Sequence, residues 1–322
     1  MGKVILAAIA ALMLSACAST PTGNIEAFGE ATKGVTEKVD TVISDYNRAM
    51  VNNELTKLAQ RKKPISISKL DPVKKMLIKD SDKKRVALYR ANKALGSYAA
   101  ALTGLARAGS REEIDLAATQ LYGSMQSVNE QYKTLTDKET DIVSDSSNAL
   151  IARTIAEIGS LYAAKKRGDA IKEIVLAADE HVQKICDVIH DELMKGVIEE
   201  RLYTMKYIEL NGYIKDYNRL VAKSNFRKKR SALDDIYAKY LDMQSSSASV
   251  EQAKKAIRKI QSTHSTLKAE LEKDNFSGKA LAKAIGELRG VHQHYNDLEG
   301  LMLSCDREIV ADDSKGIICK EG

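Results

Sequence analysis

The sequence predicts an all-α protein, an elongated antiparallel bundle of long helices with heptad-like seams. Three observations predict it. The three prolines are Pro21, Pro64 and Pro72, so residues 73–322 contain none, and a proline inside a helix costs about 3 kcal/mol. No strand-like alternation stands out in that stretch, which is rich in Ala, Leu, Lys, Glu and Ile. Apolar residues recur at alternating steps of three and four, the spacing that lays a stripe along one helix face.

The first element is an export signal. Lys3 supplies one positive charge, and Val4 to Leu14 form an apolar run of eleven residues. Such a run is too short for a ~30 Å hydrocarbon core, which needs about 20 residues. Small residues Ser15 and Ala16 precede Cys17. Leu14-Ser15-Ala16-Cys17 resembles the lipobox of bacterial lipoproteins. The resemblance covers the first 17 residues, and no family is recognised in the rest of the chain. It implies that residues 1–16 are removed and that Cys17 takes a diacylglyceryl group as the mature N-terminus. Membrane lipid, reached through acylated Cys17, is then the first partner. Two or three acyl chains hold firmly, since each buried methylene contributes about 0.8 kcal/mol. In Gram-negative lipoproteins an Asp after the cysteine favours the inner membrane. Ala18 stands here, so the resemblance implies the outer membrane, facing the periplasm.

Residues 17–24 read as the lipidated cysteine and a small, polar tether. The bundle is expected over 25–304, with a sub-boundary near 168. Its first helix carries the seam Ile25, Phe28, Thr32, Val35, Val39, Val42, Tyr46 and Ala49. Pro64 and Pro72 break it. A second helix starts near Asp80 or Asp82, with a stripe of Val86, Tyr89, Leu95, Tyr98, Leu102 and Leu105, and ends at Gly109. Ser110-x-x-Glu113 is a capping box for a third, whose stripe is Ile114, Ala117, Leu121, Met125, Val128 and Tyr132.

A fourth helix is expected from about 138 to 166, stopped by Lys165-Lys166-Arg167-Gly168, since basic residues and a glycine favour helix C-termini. Asp169 then opens the longest run, through Ile171, Val175, Ala178, Val182, Ile185, Ile189, Leu193 and Val197. Unbroken to residue 222 it would be on the order of 80 Å long. Gly196 and Gly212 are candidate bends. Helices follow at 228–243, 249–273 and 277–304, with Ser249-x-x-Gln252 as a second capping box. The tail 305–322 reads as irregular.

With Cys17 acylated, Cys186, Cys305 and Cys319 remain. Cys305 with Cys319 is the expected disulfide, and a loop of about 15 residues contributes roughly 3 kcal/mol in chain-entropy terms. Pairing of Cys186 with either is the alternative. Cys186 lies on the stripe with Val182 and Ile189 and is expected as a buried thiol.

No G-x-S-x-G, G-x-G-x-x-G or P-loop occurs, and the reading is not an enzyme. The nearest approach to a zinc-protease helix, His190-Asp191-Glu192-Leu193-Met194, has Met194 where the second histidine belongs. Cys186 and His190 share a helix face but have no third ligand beside them. His292 and His294 are two apart and point in different directions. No metal and no cofactor are expected. The formal charge of +6 includes Lys3 in the signal, leaving +5 for the mature body. That balance does not call for nucleic acid.

One stretch is strongly basic. From 57 to 93 thirteen Lys and Arg face only Asp71, Asp80 and Asp82. Within it Lys62, Lys63, Lys74, Lys75, Lys83, Lys84 and Arg85 are candidates for contact with an anionic surface. Lys223, Arg227, Lys228, Lys229 and Arg230 form a second cluster. Thirteen tyrosines and no tryptophan complete the inventory. The pairs Tyr203/Tyr207 and Tyr213/Tyr217 can pack at a boundary or line a groove. The predicted function is helix-mediated contact with another envelope protein or with a second copy. The alternative is a carrier with an apolar or tyrosine-lined groove for lipid or glycan.

Overall fold

A computed structural model of the 322-residue chain describes residues 22–61, 63–70, 80–139, 141–142, 149, 152–154, 157, 164–194, 197–273, 276–305, 309–312 and 316–319. Among these, seven long helices pack against one another as an all-α bundle, and a two-stranded hairpin follows them.

Helix α1, Thr22–Ala59, is the central element, and all eight residues of its expected seam are buried. It begins earlier than the tether reading allowed. Fully buried Ile25 pins its first turn, and Asn24 lies against Gly278. Helix α2, Asp80–Arg107, runs antiparallel to α1. Asn92 donates to the Thr36 carbonyl and to Asp40, both at 2.7 Å. The backbones approach closely at Gly29, where an added Cβ would come within 2.5 Å of the Ala99 carbonyl oxygen. Four of the six residues of the stripe expected for α2, Leu95, Tyr98, Leu102 and Leu105, are buried, while Val86 and Tyr89 are exposed and Ala87, Leu88 and Ala91 are buried in their place.

Helix α3, Arg111–Thr136, starts at the expected capping box, with Ser110 accepting from the Glu113 amide. Tyr132 is only partly buried. The helix expected over 138–166 lies largely outside the described residues. Helix α4, Ala164–Met194, overturns the expected helix stop by running straight through Lys165-Lys166-Arg167-Gly168. Arg167 donates to the Ala108 carbonyl, so a residue read as an end signal ties α4 to the end of α2. A helical glycine costs only about 1 kcal/mol, which the packing of Ala170, Ile171 and Ile174 outweighs.

The described residues of the long run form α4 and, from Val197 to Leu220, α5, which is extended by a 3-10 turn, Val221–Lys223. Gly212 lies inside α5, while Gly196 is outside the described residues. Helix α6, Phe226–Leu271, is one continuous helix of 46 residues where two were expected, and Ser249 is interior to it, not a cap. The serines that suggested a break are absorbed. Ser245 and Ser246 both donate to the Asp242 carbonyl, the back-bonding that satisfies a hydroxyl within a helix. Helix α7, Lys279–Ser304, completes the bundle.

The described residues of the tail include a hairpin where an irregular segment was expected. Strand β1, Ile309–Asp312, pairs antiparallel with β2, Gly316–Cys319, with Ile309 opposite Cys319 and Val310 opposite Ile318. Paired β-branched residues favour this geometry, and β2 packs on α6 and α7. Cys305 and Cys319 are bonded, with Cα atoms 5.5 Å apart. Cys186 is a free, buried thiol.

Candidate functional site

The site is best built from where burial stops. Leu210 of α5 and Met243 of α6 are buried, and no residue between them is. The end of α5, the 3-10 turn and the first third of α6 therefore form a helical hairpin, an arm standing out from the bundle. Asn225 caps α6 by accepting from the Lys228 amide at 3.0 Å. Apolar residues of the two helices face each other without closing. Leu210, Ile214, Leu233, Ile236, Tyr237 and Tyr240 line a hollow of about 470 Å³. Tyr203, Tyr207, Tyr213 and Tyr237 all have exposed side chains.

Ion pairs fix the base of the arm. Lys206 is 4% exposed and holds Asp45 of α1 at 2.6 Å and Asp242 of α6 at 2.8 Å. Lys239 pairs with Glu209 and lies 4.6 Å from the Tyr213 ring centre. Burial alone would lower the Lys239 pKa, but the Glu209 hydrogen bond and charge outweigh it and raise it. The three helices that meet at buried Lys206 cannot separate without stranding a charge.

The direction of the arm follows from three contacts. Lys206 meets Asp45, Asn52 donates to Glu209, and Gly212 lies against Thr56. Helices α5 and α1 are therefore parallel, and α5 continues past the C-terminal end of α1. That end is about 57 Å from Thr22 along a helix of 38 residues. The first basic stretch reaches the same end, since Arg85 of α2 donates to Asn47 of α1. Between α1 and α5 a cleft of about 780 Å³ is lined by Gln60, Arg61, Tyr213, Lys215 and Arg219, among others. Arg61 of the first basic stretch thus lines the same cleft as Lys215 and Arg219, which precede the second cluster.

The individual candidates differ. Lys63 is exposed. Lys84 pairs with Asp137, the C-cap of α3, and Arg85 is tied to Asn47. Lys83 lies on α2, with its side chain outside the described residues. Lys62, Lys74, Lys75 and Cys17 lie outside the described residues. The arm was not legible as such. Its signal was the run from Tyr217 to Leu233, which holds six cations and no acid.

A second polar cluster lies within the core. His264 of α6 bonds the Tyr98 hydroxyl through Nε2 at 2.9 Å and Asp179 of α4 through Nδ1 at 2.8 Å. Burial would raise the Asp179 pKa, but the bonds from His264, Lys268 and Gln183 bring it down to about 2. Burial pushes the Tyr98 hydroxyl well above the ordinary tyrosine value. A Tyr–His–Asp chain resembles general-base machinery, but here both Tyr98 and His264 are fully enclosed and Phe28 packs edge-on at 5.6 Å. Its role in this geometry is to join α2, α4 and α6. Burial also lowers His181 to about 4 and raises the Cys186 thiol, which keeps that thiol unreactive. His190 meets Arg258 at 3.0 Å. Among the described residues no three His, Cys, Asp or Glu side chains converge as metal ligands, and no helix is long and apolar enough to cross a membrane.

Comparison with known proteins finds no match. Family models, curated proteins and solved structures were all compared. The functional reading therefore rests on this geometry and on the sequence.

Proposed function

We propose that this chain is a non-enzymatic envelope lipoprotein, anchored by acylated Cys17, that works by contact at the far end of its bundle. The observation that carries the reading is the arm from 211 to 242, which buries none of its residues yet exposes Tyr213, Leu220, Phe226, Leu233, Tyr237 and Tyr240. Folding the bundle does not use these side chains. Exposed apolar helix faces of this kind suit a partner helix, from another envelope protein or a second copy. The lipobox places the anchor before α1, and the arm stands at the other end of α1, so the arm is held away from the anchoring membrane.

Two measurements test the reading. Mass spectrometry of the mature N-terminus should find diacylglyceryl on Cys17; a free amine at another residue would remove the anchor. A photocrosslinker at Tyr237 in the native host should give a defined adduct that Leu233→Asp abolishes. Adducts equally strong from Glu112, on the outer face of α3, would remove the arm. The hollow of about 470 Å³ along the arm, with its apolar and tyrosine lining, favours a second reading, a carrier of a small apolar ligand. Native mass spectrometry after mild extraction distinguishes it by a bound lipid or glycan.

A further inference from the structure

The tip of the arm has a different chemistry from its sides. Between Asp216 and Asp234 the chain carries Arg219, Lys223, Arg227, Lys228, Lys229 and Arg230 and no acidic residue. Arg219 and Arg230 are held by Asp216 and Asp234. Lys223, Arg227, Lys228 and Lys229 have no acidic partner among the described residues. In their midst Phe226 is 82% exposed, the first residue of α6 and almost the extreme point of the hairpin. Leu220, six residues before it, and Leu233, seven residues after it, are also exposed.

We propose that this tip docks on an anionic phospholipid surface, with Phe226 and Leu220 entering the interface and the four cations lying among the head groups. The inference goes beyond the contact role assigned to the sides of the arm and rests on the same anchored orientation. Charge complementarity supports an anionic partner, and convexity decides which one. The Phe226 ring stands outside the hollow along the arm, and a ring at the end of a projection offers no groove of its own to hold a peptide or a folded acidic protein. An acidic glycan supplies charge but nothing apolar to receive Phe226. A fluid bilayer interface supplies both, and apolar side chains flanked by Lys and Arg are the pattern that lies at such an interface. Because the tip and the start of α1 are at opposite ends, the surface reached by the tip is separate from the one that holds Cys17. The chain then spans the gap between two lipid surfaces.

The test uses the mature, acylated chain inserted in phosphatidylcholine vesicles, mixed with protein-free vesicles containing phosphatidylglycerol. Tethering is read by light scattering and by energy transfer between labelled lipids. The parent should tether anionic vesicles and leave uncharged ones free, and raised salt should release them. Lys228→Gln with Lys229→Gln should weaken tethering roughly 25-fold, at about fivefold per cation. Phe226→Ser, with every charge kept, should weaken it at least about tenfold. Lys279→Gln, at the opposite end of the bundle, should change nothing. Circular dichroism of each variant checks the fold, and the salt release is read on the unaltered protein. Tethering that survives both tip variants would overturn the proposal. So would equal tethering of uncharged vesicles, or binding to soluble polyglutamate that Phe226→Ser leaves untouched. If the chain does not insert in the first vesicles, the anchoring reading fails, and the tip is then read by flotation with the anionic vesicles alone.

Discussion

The body around His264 and the arm beyond Leu210 are built from the same helices, yet they use their side chains in opposite ways. In the body, α6 buries Val250, Ile257, Ile260 and Leu267, and its one histidine is bonded at both ring nitrogens. In the arm, the same helix exposes Phe226, Leu233, Tyr237 and Tyr240. His264 and Asp179 are matched in the body, where an unmatched polar group would cost about 1–3 kcal/mol. Cations at the tip need no match because water solvates them. The difference separates residues that hold the fold from residues left available to something else.

That division is open to direct attack. The largest expected effect is Leu102→Ala, at a fully buried position of α2, which should cost about 2–5 kcal/mol in urea unfolding. Leu233→Ala in the arm should cost under about 0.5 kcal/mol. Equal costs would erase the distinction between body and arm.

The next effect is one of pH. His181 is buried on α4 and its pKa is lowered to about 4. The unfolded chain takes up the proton first as pH falls, so stability is intact above about 6.5 and is lost on acidification towards 4. The loss should be about 2–3 kcal/mol, and His181→Leu should flatten the slope. A wild-type curve already flat over that window would show His181 to be solvated. Asp179 sharpens the comparison further. Its carboxyl is held at about 2, so the stability it contributes is present above about pH 4 and lost as pH falls towards 2. Asp179→Asn should cost about 1–2 kcal/mol, partial exposure being allowed for. Lys228→Gln, at the tip, should leave the melting temperature unchanged, and a fall of several degrees would place the tip inside the cooperative unit.

Much of this fold could be read from periodicity. The seam of α1 is buried at every expected position, and the Ser110 capping box forms, because both depend on neighbours three or four residues away. The misreadings share another cause. Gly168 and the serines at 245–249 are local stop signals that long-range packing overrides through Arg167, Ser246 and Val250. Only Val86 and Tyr89, at the start of the α2 stripe, were misplaced, because which side of those first turns is covered depends on the neighbouring helices, which no local pattern records. Cys305 and Cys319 were legible as a pair, while the hairpin they close needed the pairing of Ile309-Val310 with Ile317-Ile318 to be seen. The arm depended on knowing which apolar residues stay uncovered, and that is a property of the assembled bundle.

The continuity of α6 has a mechanical consequence. One rod of 46 residues begins at the exposed tip and ends deep in the bundle, past His264. A pull on Phe226 is therefore a load along that rod. It is resisted in shear by every contact α6 makes with α1, α4, α5 and α7 at once, instead of being peeled open one contact at a time. Sideways force meets the Lys206 clasp near Asp242 as a fulcrum. The molecule is thus stiff where tension would be applied, as a strut between two attachment points has to be.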